Sequence, residues 1–104
     1  MYIVVQHRLQ DPPTAFARGE RLKRAEGAPD GARVLQFLPS RDGALVTCLW
    51  ESPSVENMQS YVDETLGDAS VNVCYPVEEG AAFVEMPSGI AAPPALATRG
   101  AEAS

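Results

Sequence analysis

The sequence predicts an α+β sandwich built from two β-α-β units, and three observations predict it. Four short segments carry strand patterning: Tyr2 to Leu9, Arg33 to Leu38, Ala44 to Trp50 and Val71 to Val77. Two helical stretches separate them, a charged one after Leu9 and an amphipathic one over Ser54 to Leu66. The middle two strands are joined by hairpin chemistry, Ser40-Arg41-Asp42-Gly43, in which Asp-Gly supplies the positive φ of a tight turn. The order βαββαβ reads as a ferredoxin-like α+β sandwich, whose antiparallel sheet runs 4-1-3-2.

The first strand alternates between two sets of side chains. Ile3, Val5, His7 and Leu9 share one face, and Tyr2, Val4, Gln6 and Arg8 the other. Its apolar start on both faces is the pattern of a strand covered on two sides. Asp11 before Pro12 and Pro13 marks a helix start, a capping carboxylate followed by proline in the first turn, with Thr14 as the alternative cap. This helix has only Phe16 and Leu22 as large apolar anchors, and Gly19 lowers its propensity. Gly27-Ala28-Pro29 ends it, and a helix so lightly anchored either packs loosely or is completed by a partner.

The second strand stops at Pro39, and the third leads to Pro53 and Ser54. Ser54 is the N-cap of the second helix, with Glu56 favourably placed in the first turn. Val55, Met58, Val62 and Leu66 recur at helical spacing, and Gly67 sits at the C-cap position. In the last strand Val71, Val73, Tyr75 and Val77 alternate with Asn72, Cys74 and Pro76. Pro76 cannot donate to a ladder, which suits an edge strand or a strand end. Residues 1–85 thus form one domain, and the Pro/Ala-rich residues 86–104 read as a disordered tail.

A chain of 104 residues with 45% hydrophobic and 21% charged residues has room for one small core. Its apolar runs fall well short of the roughly 20 residues of a membrane helix, and no signal peptide is visible. A soluble cytoplasmic protein is expected. The net charge of −6 disfavours nucleic acid as a partner, which needs a basic surface. Bases cluster at Arg18, Arg21, Lys23, Arg24 and Arg33, whereas ten acids and only Arg99 follow from Asp42 onward. This asymmetry either steers an anion or a second subunit toward the first helix, or is a solvated helix face.

Cys48 and Cys74 lie on strands flanking the first, roughly 9–10 Å apart. That exceeds the roughly 7 Å limit for a disulfide, so both are expected as free thiols. One histidine and two distant cysteines give no metal-ligand spacing, and no cofactor motif is present.

His7 is the only histidine. In a dry pocket it would serve as a base toward an acidic carbon or phenol, with Asn72 placed beside it to orient the ring or polarise a substrate carbonyl. Otherwise it is a histidine at the sheet rim, satisfied by one side-chain partner. Trp50, Tyr61 and Tyr75 either line an aromatic-accepting pocket or belong to the core. Glu51 and the pair Asp63-Glu64 are expected to face solvent. The aromatic signature of an RNA-recognition sheet is absent.

The first strand, the hairpin, and Cys48-Leu49-Trp50-Glu51-Ser52 followed by the Ser54-to-Leu66 helix resemble the dimeric α+β barrel superfamily. The strand-helix junction resembles that of the antibiotic-biosynthesis monooxygenase-like families and of small bacterial families of unknown role. The resemblance spans residues 1 to about 84. It implies sheets paired in a homodimer and a small-molecule ligand. Its members include cofactor-free oxygenases, isomerases, haem-degrading enzymes and many proteins of unknown role. Several carry a histidine on the second helix, where this chain has Gln59, Ser60 and Tyr61. The function expected is therefore a small-molecule-binding barrel, in catalytic form a cofactor-independent enzyme on an aromatic or polyketide-like compound. The alternatives are a non-catalytic assembly module and a metal-binding stress protein.

Overall fold

The computed structural model describes residues 1–94. Along it run β1 (Tyr2–Leu9), α1 (Pro12–Lys23), β2 (Arg33–Pro39), β3 (Leu45–Glu51), α2 (Val55–Leu66), a short 3-10 turn (Gly67–Ala69) and β4 (Ser70–Pro76). The strands form one antiparallel sheet in the order β2-β3-β1-β4, which is the ferredoxin-like 4-1-3-2 order read from the other edge. Of the tail expected to be disordered, residues 86–93 are loop and turn that border β2, and residues 95–104 lie outside the described residues. Among the described residues no helix is long and apolar enough to cross a membrane.

Both helices pack on the same face of the sheet, and register decides what they cover. β1 sits between β3 and β4, with Ile3 opposite Trp50, Val5 opposite both Cys48 and Cys74, and His7 opposite both Val46 and Asn72. Residues opposite one another in an antiparallel pair share a face. Ile3, Val5, Trp50, Met58 and Val62 are fully buried there, with Leu22 and Leu66 closing the core from the two helices. The other face carries Val4, Leu49, Leu45, Val71, Val73 and Tyr75, and the last four are 42–54% exposed.

β2 departs from simple alternation. Val34 pairs with Trp50 and Gln36 with Leu49, so Leu35 is an extra residue, a β-bulge. Beyond it Phe37 pairs with Cys48 and turns toward the helices, whereas unbroken alternation from Val34 would have put Gln36 there.

The helix ends follow from capping. Asp11 caps α1, accepting from the Thr14 N–H and hydroxyl, and Ser54 caps α2, accepting from the Asn57 N–H. α1 stops at Lys23, before the Gly27 expected from the sequence. The Glu26 N–H donates to the Arg21 carbonyl and the Ala25 N–H to that of Leu22, a Schellman closure with Ala25 in the left-handed position at φ 54°. The Tyr61 hydroxyl donates to the Glu26 carbonyl at 2.6 Å and pins this turn to α2. Arg18 fixes the far end of the helix pair, donating to the Leu66 carbonyl at 2.9 Å and meeting Asp68 at 3.3 Å.

Gly67 ends α2 at φ 57° and ψ −139°, a region that side chains other than glycine scarcely enter. A methyl group added there would also meet Arg18 Nη1 at 3.0 Å. Gly67→Ala is expected to destabilise the fold by about 1–3 kcal/mol, read as a lower urea midpoint with an unchanged m-value.

Candidate functional site

The one buried histidine creates the problem that organises this site. Odd-numbered residues of β1 face the helices, so His7 is carried into the core and is only 3% exposed. A buried polar ring needs partners. β4 supplies one, because Asn72 stands opposite His7 in the ladder. His7 Nδ1 and Asn72 Oδ1 are 2.6 Å apart. That oxygen also accepts from the Ser70 hydroxyl at 2.7 Å.

The direction of the Asn72 amide is set by α2. Asn72 Nδ2 donates to Asp63 Oδ1 at 2.9 Å, and an ionised carboxylate can only accept. The amide nitrogen must therefore face Asp63 and the amide oxygen His7. It follows that His7 Nδ1 carries the proton and donates it. In the neutral ring Nε2 is then a bare lone pair, and Nε2 is a buried atom without a hydrogen-bond partner. Burial holds the His7 pKa below its usual 6.5, against the opposing pull of Asn72 and the Asp63 charge, so the ring is neutral at pH 7.

Gln59 completes the arrangement from the next turn of α2. Its Nε2 donates to Asp63 and to the Asn72 carbonyl, and its Oε1 accepts the Cys74 N–H at 3.0 Å. The side-chain amide thus bonds to β4 as a neighbouring strand would, and covers part of that open edge. Sequence reasoning singled out neither Gln59 nor Asp63 for this role. The available signal was their i, i+4 spacing on α2, which puts both on the side that meets Asn72.

His7 borders a small half-open pocket with about 20 Å³ of free space between α1 and the sheet, walled by Leu9, Phe16, Gly19, Phe37, Val46 and Cys48 among others. That is room for about one water molecule. Cys48 is no nucleophile at ordinary pH, since burial pushes its thiol up to about 12; burial and the Asp63 charge push Cys74 up to about 11. Both cysteines are free.

The three aromatic candidates are divided between the two faces. Trp50 and Tyr61 meet edge to face in the core with ring centroids 5.9 Å apart, and Tyr61 is committed through its hydroxyl to Glu26. Tyr75 stands opposite Val4 on the open face. Glu51 is half-buried and pairs with Arg33 at 2.7 Å, and Asp63 faces Asn72 rather than only solvent. Among the described residues no three His, Cys, Asp or Glu side chains gather as metal ligands would. Comparison with known proteins finds no matching family model, no matching curated protein and no matching solved structure.

Two outcomes follow from this geometry. The unfolded chain protonates His7 more readily than the folded one, so the stability tied to its neutral form is fully present above about pH 6.5. It is lost as pH falls from 6.5 toward the depressed folded value. Urea midpoints of the wild type should decline across that window, and His7→Gln should flatten the decline. Separately, Gly19 lies mid-helix on the cavity wall, where an added methyl would rest 3.9 Å from Leu66 Cδ2, an ordinary contact. Gly19→Ala should raise stability by about 0.5–1 kcal/mol while narrowing the space beside His7.

Proposed function

We propose that this chain binds a small aromatic or polyketide-like molecule and transfers a proton on it without a cofactor, with His7 as the base. The observation that carries this reading is the asymmetry of the His7 ring. One nitrogen is locked as a donor by Asn72 and Asp63, while the other is a buried lone pair with no partner, on a ring that borders an apolar cavity. His7 Nε2 and Trp50 Nε1 are the buried side-chain atoms without a hydrogen-bond partner among the described residues, and of the two only His7 Nε2 carries a lone pair that can take a proton.

In the proposed step Nε2 takes a proton from an acidic C–H or O–H of the ligand. The ring becomes imidazolium, and the ligand an enolate or phenolate. The new positive charge is compensated through Nδ1–H and Asn72 by the Asp63 carboxylate, as an oriented acid supports a histidine base in hydrolases. Returning the proton to a different atom makes the reaction an isomerisation, and attack of the enolate within the same molecule makes it a cyclisation.

The assembly proposed is the dimeric α+β barrel. Leu45, Val71, Val73 and Tyr75 stand exposed on the sheet face opposite the helices, with Val4 and Leu49 between them. Arg8 and Gln6 of β1 interrupt this face between Leu45 on one side and Val71 and Val73 on the other, so its apolar groups form strips that a second copy, presenting the same strips, could match. The same face supports the alternative reading, a module that only assembles.

The two readings part on chemistry. Wild-type protein should accelerate deuterium exchange at the α-carbon of 2-tetralone, followed by NMR, and His7→Gln should lose that acceleration about 100-fold or more. Full exchange by a folded His7→Gln variant sinks the base role. A dimer that never exchanges the probe leaves assembly as the better reading. Sedimentation equilibrium should show a dimer that Val73→Asp converts to monomer.

A further inference from the structure

A cavity of about 20 Å³ cannot hold a ring, so if His7 acts on an aromatic compound the body of that compound must lie elsewhere. A second concavity supplies the space. It is an open groove of about 440 Å³ between β2 and residues 85–94, within the usual size of a small-molecule site. Its lining is largely apolar, with Val34, Leu38, Met86 and Ile90 on its walls and Gln36 and Glu85 as polar points.

The two spaces have two residues in common. Lys23 and Phe37 line both the inner cavity and the outer groove, and they hold one another there, with Lys23 Nζ 4.7 Å from the Phe37 ring centroid. The β-bulge at Leu35 is what turns Phe37 to this side of the sheet. Lys23 is further tethered to Glu20 at 3.0 Å in a partly exposed pair, and exposed pairs are worth little. The partition is therefore two side chains, a cation over an aromatic ring, rather than backbone. Rotation of Phe37 needs no strand to break.

We infer that the outer groove and the His7 cavity are one ligand site divided by a Lys23–Phe37 gate, and that its ligand is a flat, uncharged phenol or enolisable ketone with an apolar body. This rests on the proton-transfer reading above and adds the route and the substrate class. Size assigns the parts: the body lies in the groove, and only the acidic group passes the gate to Nε2. Charge assigns the class. The acceptor at the inner end requires a donor, and the largely apolar groove walls suit an uncharged body. The ammonium of Lys23, on the shared wall, is placed to stabilise the anion that forms when the proton moves to Nε2, as a preorganised charge does at a developing enolate. The step needs no oxidant: the ligand loses one proton and His7 gains it.

The test uses 2-naphthol, titrated into full-length protein labelled with 15N. The expected result is a joint response, in which the amides of Gln36, Leu38 and Ile90 and the His7 Nε2 resonance move along one saturation curve. Ile90→Glu, which leaves the His7 relay untouched, should weaken both responses at least tenfold. Phe37→Ala should speed arrival at His7 at least tenfold in stopped-flow fluorescence, with Phe37→Leu as the second variant should the alanine fail to fold. Groove amides that shift in wild type and Phe37→Ala alike while His7 stays still would overturn the joined site. So would a His7 response that Ile90→Glu leaves unchanged, or the absence of any response up to the solubility of the probe. The base role is judged separately by tetralone exchange. A joint naphthol response with full exchange in His7→Gln keeps the path and discards the base; lost exchange with a silent groove does the reverse.

Discussion

The central position of β1 is the constraint on which the rest depends. Paired on both edges, it fixes one side of the sheet as the helix side, and every second residue from Ile3 to Leu9 is committed to it. Slipping the register by one residue would exchange Val5 and His7 for Val4 and Gln6, and would put the apolar core face into water. The same alternation that buries Ile3 and Val5 without difficulty carries an imidazole into the core. The polar network of β4 and α2 answers that single placement.

That network has a direction. Asp63 can only accept, which orients Asn72, which in turn determines the proton on His7. Information flows from an ionised group near the surface to a tautomer in the core through one amide. Gln59 stiffens the relay by bonding to the Asn72 carbonyl and the Cys74 N–H, so the strand that carries Asn72 cannot shift along α2 without losing those bonds. A tautomer held this firmly is a preorganised lone pair, and preorganisation is what a base in a dry site requires.

Much of this fold was legible in the sequence because local chemistry encodes it. Asp11-Pro12-Pro13, Ser54 and the Asp42-Gly43 hairpin are short-range signals, and the structure places the helix starts and the β2–β3 turn where they point. The pairing of His7 with Asn72 was also legible, since antiparallel register follows from strand order. What escaped was set by tertiary packing. The early end of α1 depends on Tyr61 holding Glu26 from another helix, and no residue near Ala25 announces a left-handed position. The bulge at Leu35 leaves no mark in a run of Val-Leu-Gln-Phe-Leu, yet it decides which face Phe37 joins. Asp63 is exposed, as the sequence suggested, but the bond it accepts from Asn72, nine residues on across the turn to β4, left no local signal.

The lightness of α1 takes on a meaning beside these contacts. Its buried residues are Ala15, Gly19 and Leu22, a small set for a helix that must roof half a sheet, and Gly19 stands where a methyl would fit. A stability-maximising sequence would fill that position and close the gap under Phe16. The chain instead keeps an unfilled space beside the one histidine whose second nitrogen is bare. Either defect alone would be unremarkable, since small cavities and stray unsatisfied atoms occur in many cores. On the proton-transfer reading proposed above, their coincidence beside the Asn72–Asp63 relay marks where stability would be given up locally for access to Nε2.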